Sequence, residues 1–163
     1  MSHIYHSRID AGMRLALALG AYRGRKPLIV AIPRGGIEVG AVLADMLNGE
    51  LLPASQARLP AVRGRTVIVV DEGMIAPGTM VGWLEAAREH HPDRLVCALP
   101  VATREGAVEV ARHADELFCL ETPEDFYAIS QYYRHFDELS ERDVAMLLSR
   151  RRAGSPPAMK AAA

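Results

Sequence analysis

Asp71 and Glu72 stand side by side where the apolar run Val67-Ile68-Val69-Val70 ends, and Gly73-Met74-Ile75-Ala76-Pro77-Gly78-Thr79-Met80 follows at once. Adjacent carboxylates repel each other, and holding them together is costly unless a cation or the hydroxyls of a diol lie between them. The short loop that follows opens onto a helix pattern at Thr79, and the backbone N–H groups of a helix start favour an anion. Two acids and a helix start at the end of a buried strand occupy the place where open α/β sheets bind ligands. The chemistry that fits is a sugar diol, a divalent metal or both, beside a phosphate. A lone strand-end acid is often only a polar cap where the sheet meets water. Two in a row before a glycine loop favour the ligand site.

A second constellation, Pro33-Arg34-Gly35-Gly36, breaks the apolar run Leu28-Ile29-Val30-Ala31-Ile32. Glycines are common in plain strand-to-helix turns, so this element alone says little. Read functionally, Gly35 and Gly36 let the backbone approach a phosphate while Arg34 supplies charge at a helix N-terminus. Two anion cradles flanking two acids fit a sugar that carries separated phosphates. Residues 33–36 and 71–79 are therefore expected next to each other at the C-terminal edge of one sheet.

The elements that must position them follow from pattern. A helix is predicted from about Asp10 to Tyr22, with Asp10 as its cap, and another from Ile37 to Leu47, closed by Asn48-Gly49. Residues 50–65 are poorest in pattern, with Glu50-Leu51-Leu52 at best a stub of strand. Thr66 to Val70 reads as a strand, Thr79 to Glu89 as a helix closed by His90-His91-Pro92, and Leu95 to Leu99 as a strand. Glu105 to His113 reads as a helix and Leu117 to Leu120 as a strand. Ser140-Glu141-Arg142-Asp143 resembles a capping box opening a helix to about Arg150. Alternating strands and helices predict an α/β, three-layer fold, a parallel sheet of four to five strands with helices on both faces. Residues 1–150 form one domain in this reading, and 151–163 a disordered tail.

Bulk properties exclude several classes. The 163 residues suffice for one substantial core, and half of them are hydrophobic, which leaves apolar surface for a homodimer interface. A formal net charge of −1 argues against nucleic-acid binding by bulk electrostatics. Cys97 and Cys119 lie in apolar runs without metal-ligand spacing, as core thiols of a cytoplasmic protein do. No apolar run approaches membrane-spanning length. There is no GxSxG elbow and no HExxH, and Gly73 to Thr79 copies a Walker spacing with Thr where Lys belongs. A receiver-type acid pair needs a late lysine, and none lies between Lys26 and Lys160. His90-His91 suits a helix C-terminal dipole better than a metal.

The strand with its acid pair, the loop to Thr79 and Pro33-Arg34-Gly35-Gly36 together resemble the type I phosphoribosyltransferase family over roughly residues 7–149. Leu120-Glu121-Thr122-Pro123-Glu124-Asp125-Phe126 is similar to the stretch after the last core strand of hypoxanthine-guanine-type members. The resemblance implies phosphoribosyl transfer from phosphoribosyl pyrophosphate to a purine-like base, with Mg²⁺. It implies that Asp71 and Glu72, as the catalytic acids, hold the ribose hydroxyls. Arg34, Gly35 and Gly36 would contact pyrophosphate, and Gly78, Thr79 and Met80 would take the 5′-phosphate. Glu124 would join Asp71 and Glu72 in serving the metal, and the base would lie near Phe118 or Phe126, although each is more simply a core side chain.

Two departures from the family pattern fall on the chemistry. Ala76-Pro77 stands where a Thr-Gly pair is expected, so a hydroxyl and an amide are missing and φ is locked. Only Leu59 to Arg65 separates Arg58, which aligns near a basic family position, from the next strand, so the long flap over the reacting carbon has no room. Lids exclude water from such reactions. The alternative reading is a non-catalytic nucleotide- or phosphosugar-binding protein, or a regulatory one, on the same fold.

Overall fold

The computed structural model describes residues 3–55, 59–60 and 62–152. Five parallel strands, β1 (Leu28–Ala31), β2 (Glu50–Pro53), β3 (Thr66–Val70), β4 (Arg94–Val101) and β5 (Glu116–Glu121), form one sheet in the order β2-β1-β3-β4-β5. The helices are α1 (Arg8–Ala18), α2 (Gly35–Leu47), α3 (Gly78–Arg88), α4 (Arg104–Ala111) and α5 (Glu141–Arg152). This is the predicted α/β three-layer fold.

Strands buried on both faces read as unbroken apolar runs, and the strand period of two divides those runs between the layers. Leu28, Val30, Val67, Val69, Leu95 and Cys97 pack beneath α3 and α4, against Met80, Leu84, Ala87 and Val110. Ile29, Ala31, Ile68, Val70, Val96 and Ala98 face α1 and α2, against Leu15, Leu19, Val39, Leu43 and Leu47. Val144, Leu147 and Leu148 bring α5 onto the same layer. Truncating a fully buried member such as Leu84 or Leu95 to Ala costs roughly 2–5 kcal/mol.

The order of the strands decides where the site lies. The chain leaves β1 through α2 toward β2, and leaves β3 through α3 toward β4, in the opposite direction along the sheet. Connections that diverge from neighbouring strands open a crevice between them, the topological switch point. Here it lies between β1 and β3, whose register pairs Ala31 with Val70.

Several boundaries differ from the sequence reading. Ser7, not Asp10, is the N-cap of α1: its hydroxyl accepts from the Asp10 N–H, and Asp10 Oδ2 accepts from the His6 N–H at 2.9 Å. α1 stops at Ala18, and a 3₁₀ turn covers Gly20–Tyr22. The stub at residue 50 is a full edge strand, β2, hydrogen-bonded along β1 and extended to Pro53. An edge tolerates proline because one row of N–H groups needs no partner. α5 opens with the expected capping box, Ser140 Oγ accepting from the Asp143 N–H and Asp143 Oδ2 from the Ser140 N–H. Cys97 is buried and Cys119 half-buried on the edge strand β5, both as free thiols. His90 Nδ1 lies 3.0 Å from the Ala86 carbonyl at the end of α3. The expected tail overlaps α5 at Arg151 and Arg152, and its remainder, 153–163, lies outside the described residues. No helix among the described residues is long and apolar enough to cross a membrane.

Candidate functional site

The loop after β1 and the acid pair after β3 meet at the switch point. The Ile32 N–H donates to the Val70 carbonyl at 3.0 Å, carrying the β1–β3 ladder one step past the strand ends. Beyond it the Pro33–Arg34 peptide bond is cis and α2 begins at Gly35. A side chain at Gly35 would overlap the Glu72 carboxylate, and a methyl at Gly36 would lie 3.1 Å from Asp71 Oδ1. Any side chain at Gly35 would have to displace the Glu72 carboxylate, which glycine lets the backbone pass closely. The expected juxtaposition of residues 33–36 with the acids is thus present.

The two acids are held differently. Asp71 accepts the Glu72 N–H on Oδ1 at 2.7 Å. Burial pushes its carboxyl from the ordinary 3.8 up to about 7, with the Glu72 charge adding to the rise and the backbone hydrogen bond opposing it. Glu72 instead receives Arg8 Nε on Oε2 at 2.5 Å. Arg8 Nη1 also donates to the Asp137 carbonyl at 2.8 Å and lies 3.8 Å from Glu38 Oε1. The Tyr133 hydroxyl donates to the Glu72 carbonyl at 2.6 Å. Burial raises the Tyr133 hydroxyl far above its usual range, so it stays a proton donor there, and burial likewise raises the Glu38 carboxyl.

Arg34 faces the same carboxy-terminal segment. Its Nη1 donates to the Leu139 carbonyl at 3.1 Å, and Nη2 lies 4.0 Å from Glu141 Oε1. The second loop is fastened to the end of β4: the Met74 N–H donates to the Val101 carbonyl, the Thr103 N–H to the Met74 carbonyl and Thr103 Oγ1 to the Ile75 carbonyl, at 3.0, 3.1 and 2.8 Å. Pro77 then caps α3 without a side-chain hydrogen bond, and Gly78 and Thr79 open the helix with free space beside Gly78. The first N–H groups of a helix lack intrahelical acceptors, so this end is suited to an anion. Met80 buries its side chain in the cluster that holds Leu84, Leu95 and Leu99, leaving only its amide for a ligand.

Glu124 is placed elsewhere, on a cavity of about 340 Å³ lined by Thr103, Arg104, Glu105, Thr122, Pro123, Asp125 and Phe126. Phe126 rests edge-on against Tyr132, and Phe118 against Tyr22 on the face of the sheet covered by α1 and α2. Of the two aromatic residues expected near a base, Phe126 alone borders this cavity. Arg58 lies outside the described residues. Among the described residues no group of three or more His, Cys, Asp or Glu side chains is arranged to hold a metal ion. Asp71 and Glu72 are the adjacent carboxylates at the switch point, and magnesium is commonly held by one or two carboxylates together with phosphate oxygens.

Sequence reasoning missed Arg8, Glu38, Tyr133 and the carbonyls of Asp137 and Leu139. Arg8 did offer a signal, because a cation in the first turn of a helix opposes the macrodipole and calls for carboxylate partners.

No protein-family model matches the chain. Two curated proteins of Mycobacterium tuberculosis, from strains CDC 1551 / Oshkosh and H37Rv, are provisionally named phosphoribosyl transferases. Each is 25% identical over 208 residues, which cover 90% of this chain and 47% of theirs. The chain thus spans about half the length of the curated relatives it matches. Among solved structures, the protein TT1426 from Thermus thermophilus superimposes with a TM-score of 0.81 at 26% identity, over 89% of this chain and 98% of that one. A purine phosphoribosyltransferase from Pyrococcus horikoshii shares the fold with a TM-score of 0.60 at 15% identity, over 86% and 100% of the two chains. A hypoxanthine-guanine phosphoribosyltransferase from Bacillus anthracis does so at 0.53 and 20%, over 73% and 79%. With glycine loops converging on an acid pair at the switch point of a five-stranded parallel sheet, and with these relatives, the chain is a protein of the type I phosphoribosyltransferase fold.

Proposed function

We propose that the chain transfers the phosphoribosyl group of phosphoribosyl pyrophosphate to a purine-like base, with Mg²⁺ bound alongside the pyrophosphate. The observation that carries this reading is the contact of Gly35 and Gly36 with Glu72 and Asp71 at the switch point. One ligand spanning that contact sets its sugar hydroxyls on the acids and its pyrophosphate on the α2 N-terminus. Its 5′-phosphate reaches the start of α3. In the reaction the bond from C1′ to the pyrophosphate oxygen breaks, and a bond from C1′ to a base nitrogen forms. The electron pair leaves with pyrophosphate, and the base loses a proton to solvent. Mg²⁺ would neutralise charge on the leaving group, and Asp71 and Glu72 are the carboxylates available to serve it, whereas Glu124 lies apart from them on the cavity beside Phe126.

The chain's own part is positioning and electrostatics. Asp71 and Glu72 orient the ribose. Gly35 lets the backbone come close, and Arg34 offers the guanidinium donors left free by Leu139 and Glu141. The cavity beside Phe126 is the place for the base. A homodimer and a cytoplasmic setting belong to the same reading.

Non-catalytic binding of a nucleotide or phosphosugar is the second reading, favoured by Ala76-Pro77 and by a link between β2 and β3 too short in sequence for a long flap. Calorimetry with phosphoribosyl pyrophosphate and Mg²⁺, followed by a pyrophosphate-release assay with purine bases, separates them. Binding with base-dependent release supports the transferase, and binding without release supports the sensor. No binding, or undiminished binding by the Asp71→Asn, Glu72→Gln double variant, defeats both.

A further inference from the structure

Arg8 is the most heavily engaged charged group at the site, and none of the roles above uses it. It is 5% exposed. It opens α1, where the helix dipole disfavours a cation, and burying a guanidinium is costly unless its donors are matched. Its partners come from three other parts of the chain: Glu72 after β3 at 2.5 Å, Glu38 in the first turn of α2 at 3.8 Å, and the Asp137 carbonyl at 2.8 Å. Its guanidinium carbon also lies 4.1 Å from the centre of the Phe136 ring, within cation–π range.

Resting on the phosphoribosyl reading, we infer that Arg8 is the positioning residue of the acid pair: it clamps the Glu72 carboxylate against Gly35, so that a sugar diol meets one fixed acid, Glu72, and one free acid, Asp71. Three observations carry this. The Glu72 carboxylate is confined on one side by the Gly35 backbone and on another by Arg8, which leaves it little rotational freedom. The Glu72 backbone is pinned independently by the Tyr133 hydroxyl. Among the described residues Asp71 makes no salt bridge, the Arg8 charge reaching it only as a minor influence, and it has one local hydrogen bond, from the neighbouring N–H. Diol recognition gains from an acceptor already held in place, because the ordering is done before the ligand arrives. Arginine suits the task better than lysine, since its planar fork serves Glu72 and the Asp137 carbonyl at once.

The test is a double-mutant cycle read by calorimetry with phosphoribosyl pyrophosphate and Mg²⁺ on the full chain. Arg8→Met is expected to weaken binding tenfold or more, and Arg8→Lys to recover most of that loss. In a Glu72→Gln background, either Arg8 change is expected to weaken binding less than twofold further, because Arg8 acts through Glu72. A purely structural Arg8 gives losses that multiply with those of Glu72→Gln, and that result overturns the inference. So does wild-type affinity in Arg8→Met. If Arg8→Met does not fold, the Arg8→Lys cycle decides: a loss smaller than tenfold but outside the error of the titration that vanishes with Glu72→Gln upholds the clamp, and anything else overturns it. Absence of binding by the unmodified chain defeats the phosphoribosyl reading and the clamp together, whereas binding with multiplying losses defeats the clamp alone.

Discussion

Replacing Asp71 with Asn isolates the cost of the half-buried acid. The folded state holds this carboxyl up to about 7 against an ordinary 3.8, chiefly because it is buried. Between those values the folded chain keeps a proton that the unfolded chain has lost. Stability therefore falls as pH rises through that window, and the full penalty is present above about pH 7. At 1.36 kcal/mol per pH unit the penalty is on the order of 4 kcal/mol at pH 8, and about 2 kcal/mol at pH 5. Asparagine keeps the oxygen that accepts the Glu72 N–H and removes the charge. The variant should match wild type near pH 4 and exceed it increasingly toward pH 8, where its melting temperature should stand roughly 10 °C higher. Urea unfolding of both proteins at pH 5, 6, 7 and 8 measures this, and the difference between them cancels common groups such as Glu38, whose carboxyl burial also raises. A gap that stays constant from pH 5 to 8, or a variant less stable than wild type at pH 8, would show that burial does not hold the proton on Asp71. The same replacement removes a diol acid, so affinity for phosphoribosyl pyrophosphate should fall while stability rises, an opposition expected at functional sites.

Two further outcomes test the loops. Ala76→Thr with Pro77→Gly restores a hydroxyl, an amide and backbone freedom. Affinity for a 5′-phosphorylated ribose ligand should rise by about 2 kcal/mol, roughly thirtyfold by titration, with a much smaller rise in turnover; unchanged affinity would mean that this loop takes no phosphate. Gly35→Ala places a methyl group in the space of the Glu72 carboxylate, so it should destabilise the fold by about 1–3 kcal/mol in urea and abolish phosphoribosyl pyrophosphate binding; wild-type behaviour in both assays would mean that the loop and the acid separate readily.

Most of the architecture was legible because burial on both faces writes itself into local composition. Val67 to Val70 could scarcely be anything other than a central strand, and the capping box at Ser140 marked α5 from four residues. The weaker readings fell where local signal and tertiary partner divide the work. Leu51 and Leu52 look like a stub because an edge strand is half-buried, and only pairing with β1 makes it a strand. Asp10 has the residue type of a cap, yet Ser7 fills that role and the Asp10 carboxylate accepts from the His6 N–H.

At the site, local residue types supply the ingredients: an acid pair at a strand end, two glycine loops and two helix starts, each set by a few consecutive positions. Their convergence depends on β1 and β3 being neighbours whose connections diverge, a property of strand order that no local pattern encodes. The unlike fates of the two acids are equally non-local. Asp71 becomes a half-buried carboxyl with no salt bridge among the described residues, and Glu72 one member of an ion pair, because Arg8, 64 positions away in the chain, and Tyr133, 61 positions away, are folded onto the same edge. Residue type decides which groups can titrate or pair. Only the packed chain decides how far each is removed from water, and which charge stands beside it.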